Sequence, residues 1–392
     1  IKYYRKTAPR QYAKFTRKAL LSNYAVLPKS NKPCEVMRMG YTRRPSYYKD
    51  FRCIASDCTE NCCIGWEIDV DEQTLAYYKS LGTPFSERVC AAVAPADEGE
   101  SAHFILDERE RCPFLNERNL CEVYLNLGEE HMAQICTDHP RYYEWFAGGR
   151  EDGVGLCCEA AAELILQKRG YPQWDVTGEA DEEPDEFEQA LFAMRDRLFA
   201  IIKPETPASF DEKLDRLHLA CCEMQNEYDD LLFPVEGDAE YADEEDEPFR
   251  WSAMFWSEAC LKALTERLMS LEINKDDWRG LLADVHARIP ELLARRADFL
   301  AAYADRLYEY DELLEYFVYR HFMKALGDDV LIEKVQFALI CTCFIQLLGI
   351  YRWLTDGRLT HWEQICLCKA CSREIEYNED NVEAVSRFLT MD

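Results

Sequence analysis

The sequence predicts a mainly α protein in which an irregular cysteine-rich metal-cluster domain with short strands is followed by a helical bundle. Three observations carry that prediction. Cysteines crowd the polar first half, where Cys53, Cys58, Cys62 and Cys63 all fall within FRCIASDCTENCCIGW. Glycine- and proline-marked turns interrupt that half, so its elements are short. Further on, apolar residues recur at three- and four-residue spacing, the pattern of a helix with one buried face.

Taken in order, residues 1–36 read as a basic leader with Pro9, Pro28 and Pro33, expected to be an upstream extension outside the fold. The functional alternative is a basic arm for an acidic partner. Met37 opens the cysteine-rich domain, 37–170. Trp66, Ile68 and Val70 alternate with acidic residues as a short strand would, and Asp71 or Thr74 can cap a helix that Gly82 ends. Residues from Ala91 to Ser101 read as a loop. Cys112-Pro113-Phe114-Leu115-Asn116 and Leu120-Cys121-Glu122-Val123-Tyr124 read as two strands joined by a polar turn, with the two cysteines facing each other. Asn126 to Cys136 is expected to be one short helix, stopped before Pro140, and Gly148, Gly149, Gly153 and Gly155 are expected to mark turns. A helical exit follows from Glu159 to Lys168.

A helical connector, 171–248, should hold helices at about 185–203 and 210–232 and end in the acidic run Glu236 to Glu247, read as a solvated linker. The bundle, 249–392, has apolar periodicity over 249–273, 276–308, 310–326 and 329–355, and the all-round apolar Phe337 to Ile345 should be its buried central helix. Cys341 and Cys343 then act as small core residues. Cys366, Cys368 and Cys371 lack a clear fourth ligand and make only a weak metal signal; Cys34, Cys90, Cys221, Cys222 and Cys260 are assigned to packing or surface.

Composition narrows the function. The formal charge is -29, which argues against nucleic acid as a partner. The charge is uneven: residues 1–52 hold 14 Lys and Arg against 2 Asp and Glu, so they carry +12 and the remainder carries -41. An acidic body suits a basic partner. No signal peptide and no apolar run of roughly 18 to 20 residues is evident, so no membrane is expected, and 19 cysteines without a secretory signal point to thiols in a reducing cytoplasm.

Thiolates gathered on polar loops are explained by a metal better than by packing. The local set is Cys53, Cys58, Cys62 and Cys63; the distant set is Cys112, Cys121, Cys136 and one of Cys157 and Cys158. Adjacent Cys62 and Cys63 point different ways and so suit two sites, or one site and the core. Eight thiolates would supply two four-thiolate centres. Zinc sites usually show paired C-x2-C knuckles, which this half lacks, so an iron–sulfur cluster is favoured with zinc as the alternative. Phosphate-loop, serine-hydrolase and HExxH motifs are absent, and His131 and His139 read as ordinary histidines.

These residues carry a resemblance. Phe51-x-Cys53, Cys58-x3-Cys62-Cys63-x-Gly65-Trp66, Cys112-Pro-Phe-Leu-Asn116, Leu120-Cys121-x2-Tyr124, Gly128-Glu129, Cys136-x3-Pro140-Arg141 and Cys157-x-Glu159-Ala160-Ala161 together resemble the bacterial flagellin lysine-N-methylase family. That family is itself similar, in its first half, to small zinc- or iron-chelating cysteine-cluster proteins. The resemblance implies methyl transfer from S-adenosylmethionine to surface lysines of flagellin by an enzyme with a 4Fe-4S cluster. Where the family reads Ser-Cys-Pro-Glu-Ala, this chain has Leu156-Cys157-Cys158-Glu159-Ala160, so the implied ligand role passes to Cys157. Cys58, Cys62 and Cys63 do not form the C-x3-C-x2-C triad of standard radical S-adenosylmethionine enzymes. The alternative is a metal-chelating or redox-sensing interaction protein with a structural site. Lysine must lose a proton before it is methylated, and Asp138, Glu144 and Tyr142 are the candidate bases near Cys136.

Overall fold

The computed structural model describes residues 41–59, 61–95, 101–179, 183–233 and 249–389. The basic leader, Cys34, residues 96–100 of the expected 91–101 loop and the acidic run Glu236–Glu247 fall outside the described residues, while Val93–Ala94 of that loop is a strand.

A four-stranded sheet joins the two halves. Its strands are β1 (Tyr41–Pro45), β4 (Arg141–Phe146), β5 (Gly149–Val154) and β6 (Trp174–Thr177), in the order β4-β5-β1-β6, while β2 (Val93–Ala94) and β3 (His103–Phe104) form a separate two-residue ladder. β1 runs parallel to β5 and antiparallel to β6, and β4 and β5 are a hairpin. The expected turns at Gly149 and Gly153 are therefore strand positions. They read as turns because glycine is a poor strand former, but here tyrosine rings occupy the space a side chain would take: a Cβ on Gly153 would lie 2.2 Å from the Tyr142 ring, and one on Gly149 would lie 2.5 Å from Tyr41.

Two hydrophobic cores result. The smaller, around Ile68, Val70, Tyr78, Val89, Phe104, Phe114 and Val123, underlies the cysteine loops. Helix α1 (Glu72–Leu81) starts at Asp71, whose side chain accepts from Thr74 N at 2.8 Å, and ends at left-handed Gly82. A second helix, α2 (Pro84–Ala91), follows at once because Thr83 and Ser86 form a capping box with proline at the first turn.

Three local expectations are corrected. Trp66–Val70 is extended but forms no strand: Val70 N and Ile68 O bond Ala102 O and Phe104 N, and the ladder contact is reduced to the Asp69–His103 bridge, since β3 is already paired with β2. Residues 120–124 are not a strand; Cys121 caps α3 (Glu122–Leu127), and the pairing with 112–116 reduces to the single Leu115–Cys121 bridge. The helix expected over 126–136 is broken at Gly128, whose φ of 93° only glycine adopts freely, leaving α3, a 3-10 turn at Glu129–His131 and α4 (Gln134–Asp138).

Beyond α5 (Glu159–Ile165), helices appear where periodicity placed them: α6 (Glu186–Ile202), α7 (Phe210–Leu232), α8 (Trp251–Phe255) and α9 (Glu258–Met269), which divide the expected 249–273 stretch, α10 (Asp276–Ala302), α11 (Tyr308–His321) and α12 (Leu331–Asp356); α13 (His361–Ile375) and α14 (Glu379–Ser386) follow, where no periodicity had been read. Helix α12 is the centre, buried without interruption from Val335 to Ile350 and packed against α7, α10, α11, α13 and α14. Its length and apolar composition are those of a membrane span, but 94% of its most apolar window is buried inside the protein.

The larger core runs from Tyr47 and Phe51 through Val154, Leu156 and Ile165 into the bundle. Buried ion pairs fasten sheet to bundle. Arg195 on α6 is fully buried and holds Glu151 on β5 through two bonds of 2.6 and 2.7 Å, with Arg43 on β1 at 3.2 Å from the same carboxylate.

Candidate metal centre and its seam with the bundle

Short polar turns set the cysteines. The Asn61 side chain accepts from Cys63 N at 2.9 Å and its carbonyl from Ile64 N at 3.1 Å, so Cys62 and Cys63 sit on a tight turn. Cys63 O then accepts from Cys112 N at 2.8 Å, which lays the 112–116 segment beside that turn. Arg111 clamps the next turn through Leu115 O, Asn116 O and the Asn119 side chain. Cys121 is thereby placed at the start of α3, and Cys136 on α4 is brought in by Asp71, which accepts from Gln134 N at 3.0 Å.

Cys62, Cys63, Cys112, Cys121 and Cys136 are joined by electrostatic coupling: Cys62, Cys112 and Cys121 act on Cys63, and Cys121, Cys112 and Cys62 act on Cys136. Burial pushes Cys112 up to about 11, with Cys121 adding to it, and pushes Cys136 up to about 12, with Cys121, Cys112 and Cys62 adding. The bond that Cys63 makes to Cys62 holds Cys62 below the usual thiol range and Cys63 far above it. Without a cation such a group favours thiols; a bound metal reverses that preference and draws off their protons.

A second group lies alongside. Cys58 donates to Glu159 at 3.8 Å, and Glu159 also accepts from Thr59 N and its hydroxyl and pairs with Lys369 of α13 at 3.5 Å. Burial pushes Cys158 up to about 11, and Cys58 and Cys62 act on it as well. Cys157 instead faces Tyr377 and Arg320. Cys53 is exposed, its sulfur accepting from Ala55 N at 3.4 Å. The structure thus gathers five of the eight sequence candidates, sets Cys58 beside Cys158, turns Cys157 toward the bundle and leaves Cys53 apart. Among the described residues no three metal-binding side chains stand at coordinating distance. The donor set nevertheless fits a thiolate-bound centre: five cysteines converge on one small core, Cys112 within it and Cys63, Cys121 and Cys136 against it, on segments held by backbone bonds.

The seam with the bundle was not legible in the sequence. Tyr377, between α13 and α14, stands edge-on to Trp66 at 5.2 Å, lies near His139, and hydrogen-bonds Cys157. Its hydroxyl occupies the place of a Gly155 side chain, 2.2 Å from where a Cβ would be. Arg320 of α11 lies over both Tyr377 and Tyr142, donates to Tyr316 at 2.6 Å and pairs with Glu376 at 3.3 Å. Burial raises Glu376, but Arg320, His321 and Ser372 outweigh it and hold the carboxyl at about 2. Burial, then Arg320, lowers His139 to about 4, so its ring is neutral near pH 7. Of the candidate bases, Tyr142 has its hydroxyl buried and stays protonated, Asp138 accepts from Tyr143 at 3.0 Å, and burial raises Glu144, against the pull of Lys324.

Residues 209–392, which carry Arg320, Glu376 and Tyr377, match the FliB lysine N-methylase C-terminal domain. That part of the chain is similar to the FliB lysine N-methylases. The chain is 24% identical over 126 residues to flagellar biosynthetic protein FliU of Salmonella muenchen, covering 31% of this chain and 75% of that protein. It shows the same identity over the same length to the lysine-N-methylases of Salmonella choleraesuis and Salmonella typhimurium, covering 31% of each. The match therefore spans about a third of those two relatives. No solved structure matches the chain.

Proposed function

We propose that this chain is a protein-lysine N-methyltransferase that moves a methyl group from S-adenosylmethionine to surface lysines of flagellin, with an iron–sulfur cluster held by Cys62, Cys63, Cys112, Cys121 and Cys136. The observation that carries this reading is the seam: the domain matched to the lysine N-methylases reaches the cysteine region through Tyr377. In the reaction the lone pair of a neutral lysine nitrogen attacks the methyl carbon, the carbon–sulfur bond breaks, and its electron pair stays on sulfur. The amine must first give up a proton, and Glu144 is the base in this reading, its proton affinity raised by burial. A cluster would supply iron as a Lewis acid and fix the loops that carry it. The net charge of -29 draws a lysine-bearing surface toward the protein. A reducing cytoplasm belongs to the same reading, since the eighteen cysteines among the described residues are free thiols.

The test is intact-mass analysis of flagellin after incubation with the anaerobically reconstituted protein and trideuteromethyl-labelled S-adenosylmethionine. Mass should rise in labelled-methyl steps and stop doing so in Glu144→Gln. No labelled gain from fully loaded protein would favour the chelator or sensor reading.

A further inference from the structure

Lined by none of the cysteines, a cleft of about 520 Å³ opens between β1, β6 and the 48–52 turn. Four cations line it, Arg44, Lys49, Arg52 and Arg141, against one acid, Asp175. Arg44 is paired with Asp152 at 2.6 Å and Lys49 with Asp175 at 3.4 Å. Arg52 and Arg141 have no carboxylate partner among the described residues: Arg52 donates to Lys49 O and Phe51 O, and Arg141 to Thr137 O at 2.8 Å. The Arg141 guanidinium lies over the Phe51 ring at 5.1 Å and that of Arg44 over Tyr48 at 4.9 Å. Stacking of this kind orients a guanidinium and leaves its N–H edge for a planar anion. Two uncompensated guanidiniums at one cleft are unexpected in a chain with 74 acidic and 45 basic residues. The volume is that of a small-molecule site.

We propose that this cleft binds a nucleoside-sized anion, with Arg52 and Arg141 holding its carboxylate or phosphate. The proposal deepens the methyltransferase reading in that the donor's carboxylate is one source of such an anion; a nucleotide phosphate is the other.

The test is calorimetric titration of the full chain with S-adenosylhomocysteine, with AMP and with adenosine. Either S-adenosylhomocysteine, through its carboxylate, or AMP, through its phosphate, should bind about tenfold or more tighter than adenosine, and Arg52→Gln and Arg141→Gln should each weaken it about tenfold. Preference for S-adenosylhomocysteine identifies the donor as the source; preference for AMP identifies a nucleotide. Arg52 is exposed, so its variant should fold, and thermal denaturation checks both. Binding of neither anion, or binding unchanged in both variants, overturns the proposal. Methylation that persists in variants with unchanged S-adenosylhomocysteine binding would sink the cleft and leave the function standing. Anion binding lost in the variants, without any methyl transfer by the parent protein, would do the reverse.

Discussion

Arg320→Met should cost about 3–5 kcal/mol of stability near neutral pH, because it leaves the Glu376 carboxylate buried without its main counter-charge. Glu376 is 1% exposed at the side chain and is otherwise held by His321, Ser372 and Tyr316. Its folded value, about 2, lies below the unfolded carboxylate value, so its contribution is complete above about pH 4.5 and is lost as pH falls toward 2. The gap between parent and variant should therefore be widest near pH 7 and narrow below about pH 4.5. Urea denaturation at a series of pH values measures it; a gap that is constant with pH, or below about 1 kcal/mol at pH 7, contradicts the assignment. The same variant should loosen the seam, since Arg320 stacks on Tyr377.

Arg195→Met should cost a similar amount, about 3–5 kcal/mol, for the same reason at a second buried pair. Arg195 is fully buried and Glu151 is 2% exposed, and they meet through two parallel bonds between α6 and β5. Arg43 stays beside Glu151 and offsets only part of the loss. Replacing both partners, as Arg195→Met with Glu151→Met, should recover much of the stability, because no buried charge is then left alone. Denaturation midpoints of the parent, both single variants and the double variant test this; a double variant as unstable as the sum of the singles contradicts it.

Much of the helical half was legible because burial there follows one period. Helices expected at about 185–203 and 210–232 are Glu186–Ile202 and Phe210–Leu232, and the all-apolar Phe337–Ile345 lies within the central helix Leu331–Asp356. Helix α1 was legible at both ends because its cap and its left-handed glycine are local chemistry. The sheet was not. β1 gains its partners from residues more than a hundred positions away, and Gly149 and Gly153 carry no strand signal of their own. In the candidate site, thiol crowding was visible in the spacing, and the grouping of Cys62, Cys63, Cys112, Cys121 and Cys136 follows from turns that Asn61 and Arg111 close. The turn of Cys157 toward the bundle and the approach of Tyr377 depend on how the bundle meets the sheet, and no local pattern encodes that.

The most direct measurement is iron and acid-labile sulfide per chain after anaerobic reconstitution of the parent, Cys112→Ser, Cys136→Ser and Cys343→Ser. The central claim expects a loaded parent with a cluster absorption band, an equally loaded Cys343→Ser, whose sulfur lies in the bundle core, and loss of cluster in the other two while they remain folded. Full loading of Cys112→Ser and Cys136→Ser, or zinc but no iron and sulfide in every preparation, would contradict it.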